Sequence, residues 1–111
     1  MNSTTKGNWN GWRAEHGNEF DVPVEIHQAS DLLDISWHND GCPSFIVASL
    51  ELNLTDGHLP PTLWTDHPDP ELRDWDMGGR YIVAGDDHKF LYIGDSADEA
   101  LEVLRKASGA L

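Results

Sequence analysis

The chain has 111 residues, the length of one domain, and its 39% apolar content with five tryptophans is typical of a globular protein. Twenty acidic against seven basic residues give a formal net charge of −13, which repels nucleic acid and anionic membranes and argues against direct binding to either. No apolar run is long enough to span a membrane, no signal-peptide segment follows Met1, and a single cysteine allows neither an internal disulfide nor a multi-thiolate metal site, so we expect a soluble cytoplasmic protein.

Residues 1–19 are predicted to form an irregular N-terminal arm, ahead of a single domain over residues 20–111. The arm is rich in Asn, Gly, Ser and Thr, and its large apolar residues are Trp9 and Trp12. These two tryptophans either pack back onto the domain or insert into a partner. Packing back is the simpler interpretation.

Three stretches in the first half alternate apolar and polar residues, which is the pattern of half-buried strands. They cover residues 20–27, 33–37 and 44–54. Pro23 cannot donate a backbone N–H, so it favours an edge position for the first strand. The Asn-Asp-Gly turn at residues 39–41 joins the second and third strands, which we expect to pair.

Residues 55–79 carry turn and proline signals in place of strand periodicity. Leu63 and Trp64 are expected to dip into the core from this connection. Asp69 is suited to N-cap a short helix near residues 70–75, because its carboxylate can accept a backbone N–H and a proline follows at the first helical position.

The last third predicts a β-hairpin that leads into a helix. Residues 81–83 and 90–93 are β-prone runs, and the Gly-Asp-Asp sequence between them accepts the backbone angles of a tight reversal. The following helix, residues 96–107, repeats apolar residues at i, i+3, i+4 and i+7.

Both ends of that helix carry recognisable signals. Ser96 is expected to accept the N–H of Glu99 while the Glu99 side chain reaches back, forming a capping box. Gly109 lies where a left-handed terminating residue is expected. The sum is an α+β fold: an antiparallel meander of four to five strands, with one C-terminal amphipathic helix packed on a face and a short helix near residues 70–75.

No motif predicts catalysis, so we expect a protein that is not an enzyme and has no cofactor. Cys42 lacks a basic neighbour that would stabilise a thiolate, and a buried structural role is the simpler interpretation. The histidines lie in turns and show no diagnostic metal-binding spacing. Of these, His67 with Asp66 and Asp69 is the best local nucleus for a metal site, but we predict none.

The acidic segment, residues 66–76, is the candidate site. It contains five acids and one base, Arg73. An acidic surface with aromatic anchors can occupy the basic groove of a nucleic-acid-binding protein. The alternative is a solvated turn whose tryptophans face inward. The predicted partner-binding residues, which include two acids at the hairpin tip, are Trp64, Asp66, Asp69, Glu71, Asp74, Trp75, Asp76, Asp86 and Asp87.

In size, charge and lack of catalytic motifs the chain is similar to small inhibitors from phages and mobile elements, such as anti-CRISPR proteins, anti-restriction DNA mimics and immunity proteins. No residue signature ties it to one of these families, so no site is transferred. The first hypothesis is a cytoplasmic inhibitor (host cytoplasm if phage-encoded) of a basic nucleic-acid-handling protein, acting as a monomer or weak homodimer. The alternative is an accessory or regulatory domain that self-associates through the Pro23 edge strand or an exposed sheet face, with acidity serving solubility. A metal-binding module is the third.

Overall fold

The computed structural model describes residues 11–37, 41–48, 60–73, 78–85 and 89–109. Within these ranges a five-stranded antiparallel sheet has the spatial order β1-β2-β3-β4-β5. The strands are β1 (Leu32–Asp34), β2 (Ser44–Val47), β3 (Thr62–Thr65), β4 (Tyr81–Ala84) and β5 (Phe90–Gly94). The helices are α1 (Trp12–His16), α2 (Val24–His27) and α3 (Ala97–Ala107), with 3-10 helices at Asn18–Phe20 and Pro70–Leu72. The predicted α+β meander with a C-terminal helix is confirmed. No helix in the described ranges is long and apolar enough to cross a membrane.

Helix α3 covers one face of the sheet. Successive residues of a strand point to opposite faces, and the register places Phe45 beside Leu63 and Leu63 beside Val83. These side chains are buried together with Leu101 and Leu104 of α3. Burial of each large apolar side chain contributes about 1.5–3 kcal/mol, so the apolar stripe of α3 is a main source of stability.

The N-terminus of α3 is capped as predicted, but only half of the capping box forms. Ser96 Oγ accepts the Glu99 N–H at 3.1 Å. Glu99 Oε1 accepts the Tyr92 hydroxyl at 3.0 Å, and Tyr92 Oη accepts the Ser96 N–H at 3.2 Å. Tyr92 therefore stands between the two capping residues, because β5 brings its hydroxyl to the helix start. Gly109, with φ +77°, follows α3 in the predicted left-handed conformation.

The strand predicted over residues 20–27 is wrong. Val24–His27 is the helix α2, with Pro23 at its N-cap. Val22 and Ile26 are buried whereas Val24 between them is 54% exposed, which is the spacing of a helical turn. A proline is tolerated there because the first N–H groups of a helix have no intrahelical acceptor.

Part of the predicted irregular arm is ordered into α1. Trp12 is 5% exposed and belongs to the same buried cluster as Ile26. Its backbone N–H donates to Asp34 Oδ2 at 3.0 Å, which attaches α1 to β1. The interpretation that Trp12 packs back is confirmed, whereas Trp9 lies outside the described residues.

The remaining strand predictions hold in part. The strand predicted at residues 33–37 is β1, which begins one residue earlier and is shorter. The strand predicted at residues 44–54 begins correctly as β2, and the part after residue 48 lies outside the described residues. Leu63 and Trp64 belong to the central strand β3, which lacks a clear alternation because Thr62, Leu63 and Thr65 are all buried. Cys42 is fully buried, as predicted for a structural cysteine.

Arg80 joins the N-terminal segment to the sheet. Its Nη2 donates to the carbonyl oxygens of Phe20 and Asp21 at 2.7 and 2.9 Å. Its Nε donates to Asp66 O at 3.0 Å, and its Nη1 to Tyr81 Oη at 3.1 Å. The planar guanidinium, with five donors in a fixed fork, suits such a set of acceptors. Three segments that are distant in sequence are therefore held at one point.

Candidate functional site

The acidic segment begins inside the protein. Asp66 follows β3 and is 0% exposed. Its Oδ1 accepts the His67 N–H at 2.8 Å, and its own N–H donates to Arg80 O at 2.8 Å. Because Asp66 has no exposed surface, its predicted place in a partner-binding surface is wrong. It has a structural role at the end of β3.

His67 is also turned inward. It is 9% exposed, and its ring lies edge-on to Phe20 with the centroids 5.6 Å apart. Nδ1 accepts the Asp69 N–H at 2.9 Å, so the lone pair that a metal would need is engaged. In the part of the chain that the structure describes, no three His, Cys, Asp or Glu side chains are grouped to hold a metal ion.

Residues 68–72 form an exposed turn, which we call the acidic turn. Asp69 Oδ1 accepts the Glu71 N–H at 3.0 Å and so N-caps the 3-10 helix, as predicted. The helix ends earlier than predicted because Arg73 is extended, with φ −73° and ψ 140°. Asp69 and Glu71 are exposed, and Leu72 is 62% exposed. This turn therefore presents two carboxylates and one apolar side chain to solvent.

The base of the acidic segment, Arg73, supports the turn from behind. Its side chain is 15% exposed. Nε donates to His67 O at 2.8 Å and Nη2 to Pro68 O at 3.4 Å. Nη1 lies 3.7 Å from Asp95 Oδ1. The Arg73 guanidinium is largely buried among these acceptors, so it exposes little positive charge beside the turn. The exposed carboxylates of Asp69 and Glu71 therefore give the acidic turn a net negative charge.

Asp95, in the link between β5 and α3, lies beside the acidic turn. Its side chain is 72% exposed, and its Oδ1 accepts the Arg80 N–H at 3.0 Å as well as approaching Arg73. No sequence signal relates residue 95 to residue 73, because their proximity depends on the pairing of β4 with β5. Asp95 extends the acidic surface and was missed by the prediction.

Of the two predicted tryptophan anchors, Trp64 lies on β3 and not in the acidic turn. Trp64 pairs with Ser44 and Ile82 on the sheet face opposite α3, and it is half-buried. The buried pair Asp66 and His67 separates it in sequence from the turn, where Leu72 is the exposed apolar residue. Five predicted residues lie outside the described ranges and remain predictions: Asp74, Trp75, Asp76, Asp86 and Asp87.

These features define an α+β meander domain with an exposed acidic turn. Compared with protein-family models, with curated proteins and with solved structures, the chain shows no match.

Proposed function

We propose that the protein is a non-enzymatic acidic binding protein that inhibits a basic, nucleic-acid-handling partner. The observation that carries the proposal is the composition of the acidic turn. Asp69 and Glu71 are exposed, whereas Arg73 is 15% exposed and faces carbonyl oxygens and Asp95. A local excess of carboxylates on a chain of net charge −13 attracts a basic surface and steers its approach.

The acidic turn carries groups that can bind in the nucleic-acid-binding groove of a basic protein. Arg and Lys side chains that bind phosphates also bind carboxylates through short charge-assisted hydrogen bonds. Leu72, 62% exposed, adds an apolar contact next to the two carboxylates. Occupation of the groove excludes nucleic acid without any catalytic group. The chain would act in the cytoplasm, or in the host cytoplasm if a phage encodes it.

Neutralising the acidic turn tests the proposal without disturbing its backbone. Asp69→Asn with Glu71→Gln removes two charges and keeps the N-cap, because asparagine caps helices as well as aspartate does. Glu25→Gln with Glu102→Gln is the matched control, since both residues are exposed, lie on α2 and α3, and give the same change in net charge.

Each variant is titrated against the partner that the wild-type chain captures from a lysate of the cells that express it. We expect the turn variant to bind about tenfold more weakly, or ~1.4 kcal/mol, and the control to change affinity by less than about twofold. Failure to capture a basic partner would contradict the proposed function. An equal loss of affinity in both variants would show that the net charge acts and the acidic turn does not.

A self-associating accessory domain, with acidity serving solubility, is the second candidate. The observation that favours it is the exposed apolar surface of β5, where Phe90, Leu91 and Ile93 are 50%, 45% and 38% exposed. The Pro23 edge expected from the sequence does not exist, because Pro23 begins a helix. Ionic strength discriminates between the two candidates. Salt weakens the attraction to a basic partner, so inhibitor binding should become weaker. Salt also screens the repulsion between two acidic chains, so self-association should become stronger.

A further inference from the structure

His67 is a buried titratable residue that is bonded to both ends of the acidic turn. Its Nδ1 accepts the Asp69 N–H at 2.9 Å, near the start of the turn. Its carbonyl oxygen accepts Arg73 Nε at 2.8 Å, just after the turn. Its own N–H donates to Asp66 Oδ1, and its ring lies edge-on to Phe20. The exposed carboxylates of the turn are therefore positioned by a residue that solvent hardly reaches.

The bond at Nδ1 exists only in the neutral imidazole. A histidine nitrogen accepts a hydrogen bond when it carries no proton, so the His67 proton is on Nε2. In the imidazolium both ring nitrogens are donors. Nδ1–H would then face the Asp69 N–H, donor against donor, and the bond would be lost. Histidine ordinarily gains its charge between about pH 8 and about pH 5, so mild acid is sufficient for this change.

The charged and titratable groups around His67 have both signs. Besides His16, which contacts the same Phe20 ring, they are Asp66, Asp69, Arg73, Arg80 and Asp95. Each of the three carboxylates already accepts a backbone N–H. The two guanidinium groups, and His16 when it is protonated, oppose a further positive charge. Attraction and repulsion offset each other in part, so the contact at Nδ1 decides that the closed turn favours neutral His67.

We propose that His67 is a pH-dependent switch of the acidic turn, which is closed when the imidazole is neutral and opens when it is protonated. In the closed state the N-capped 3-10 helix fixes Asp69 and Glu71 relative to each other, and the Nδ1 bond fixes Asp69 to the end of β3. The contribution of this bond is present above the range in which histidine titrates and is lost as the pH falls through it. The consequence for binding rests on the proposed function: a basic partner should be bound more weakly in mild acid.

Hydrogen exchange at the Asp69 amide, measured by NMR on the full chain, tests the switch without a partner. The exchange rate is divided into that of an unstructured peptide of the same sequence at the same pH, which removes the direct effect of pH on the exchange chemistry. One hydrogen bond corresponds to about a fivefold change in an equilibrium constant, so this protection should fall at least about fivefold from about pH 7.5 to about pH 5. The midpoint should coincide with the titration of the His67 ring protons.

His67→Asn separates the hydrogen bond from the titration. The asparagine Oδ1 is attached to Cγ, as Nδ1 is in histidine, so it can accept the Asp69 N–H but does not titrate, and protection should change by less than about twofold. His67→Phe keeps a ring against Phe20 and lacks the acceptor, so protection should be low at both pH values. His27→Asn is the matched control. His27 is half-buried on α2 against Trp12, so this variant should retain the wild-type response.

Wild-type protection that does not change with pH overturns the proposal. So does a fall of the same size in His67→Asn, a midpoint that follows a different histidine, or wild-type protection in His67→Phe. If His67→Asn loses its native circular dichroism, the wild-type midpoint and His67→Phe decide. All of these measurements use the chain alone, so failure of the switch is distinguishable from failure to bind a basic partner.

Discussion

Replacing Arg80 with lysine is expected to destabilise the protein even though the charge is kept. Arg80 donates to Phe20 O, Asp21 O and Asp66 O at 2.7–3.0 Å and thereby joins the N-terminal segment to the sheet. A lysine ammonium is a single donor centre on a flexible stem and cannot reproduce the planar fork. At least two of the three carbonyl oxygens would lose their partner.

The magnitude follows from the number of bonds and their exposure. A hydrogen bond from a charged donor contributes about 1.5–3 kcal/mol when it is buried, and about 1 kcal/mol is typical otherwise. The bonds to Phe20 and Asp66 are partly buried and the bond to Asp21 is exposed. Loss of two bonds therefore costs about 2 kcal/mol, which corresponds to a fall in Tm of roughly 9 °C, because the entropy of unfolding is about 2.1 cal/mol/K per residue.

Urea denaturation at neutral pH measures this free energy of unfolding. Arg13→Lys is the control, because Arg13 is exposed and its guanidinium lies 4.6 Å from the Trp12 ring centroid, where lysine can also place a cation. The control should stay within about 0.5 kcal/mol of wild type. An Arg80→Lys variant that is equally close to wild type would refute the role assigned to Arg80.

Three further substitutions probe other parts of the fold. Trp12→Ala should lower the free energy of unfolding by about 3 kcal/mol in urea titration, because the 5% exposed side chain lies in the core; a loss below about 1 kcal/mol would contradict that placement. The hydrogen bonds from Arg105 lower the pKa of Asp31, so the pair stabilises the fold above the unfolded pKa of about 3.9 and this contribution is lost as pH falls through the lower folded pKa. Since the Asp31 side chain is 42% exposed, Asp31→Asn should lower the free energy of unfolding by about 0.5–1 kcal/mol at neutral pH, and by nothing once the wild-type carboxyl is protonated. Thermal melts in which wild type and variant differ equally at every pH would contradict the stabilising role of the Asp31–Arg105 pair. Gly79→Ala should cost about 2–3 kcal/mol, because its Cβ would lie 2.5 Å from the backbone nitrogen of Gly94; an unchanged Tm would contradict this close approach.

The C-terminal third was predictable because its signals are local. The hairpin, the N-cap at Ser96 and the left-handed Gly109 each depend on residues within a few positions of one another. The capping box failed at Glu99 for the opposite reason. Its competitor, the Tyr92 hydroxyl, reaches the helix through the packing of β5.

The first half was less predictable because its patterns fit more than one structure. Apolar residues at Val22, Val24 and Ile26 suit a strand, but the structure buries two of them and exposes Val24, as in a helical turn. The central strand β3 is buried on both faces and so shows no clear alternation. Periodicity identifies only elements that have one exposed face.

The candidate site was predicted in part. The Asp69 N-cap and its exposed turn were found from the order of Asp and Pro residues. The burial of Asp66 and the approach of Arg73 to Asp95 depend on how β3, β4 and β5 are joined. Counting charges along the chain cannot show which carboxylates the fold removes from the surface, and Asp66 is one of them.

Competition with nucleic acid tests whether the acidic turn occupies the nucleic-acid-binding surface of the partner. The captured partner is loaded with a labelled oligonucleotide that it binds, and the wild-type chain is added until the partner is saturated. We expect release of the oligonucleotide. The variant Asp69→Asn and Glu71→Gln should require about tenfold more protein than the control variant at Glu25 and Glu102. An oligonucleotide that stays bound while the chain saturates the partner would contradict the claim that the acidic turn occupies the nucleic-acid surface.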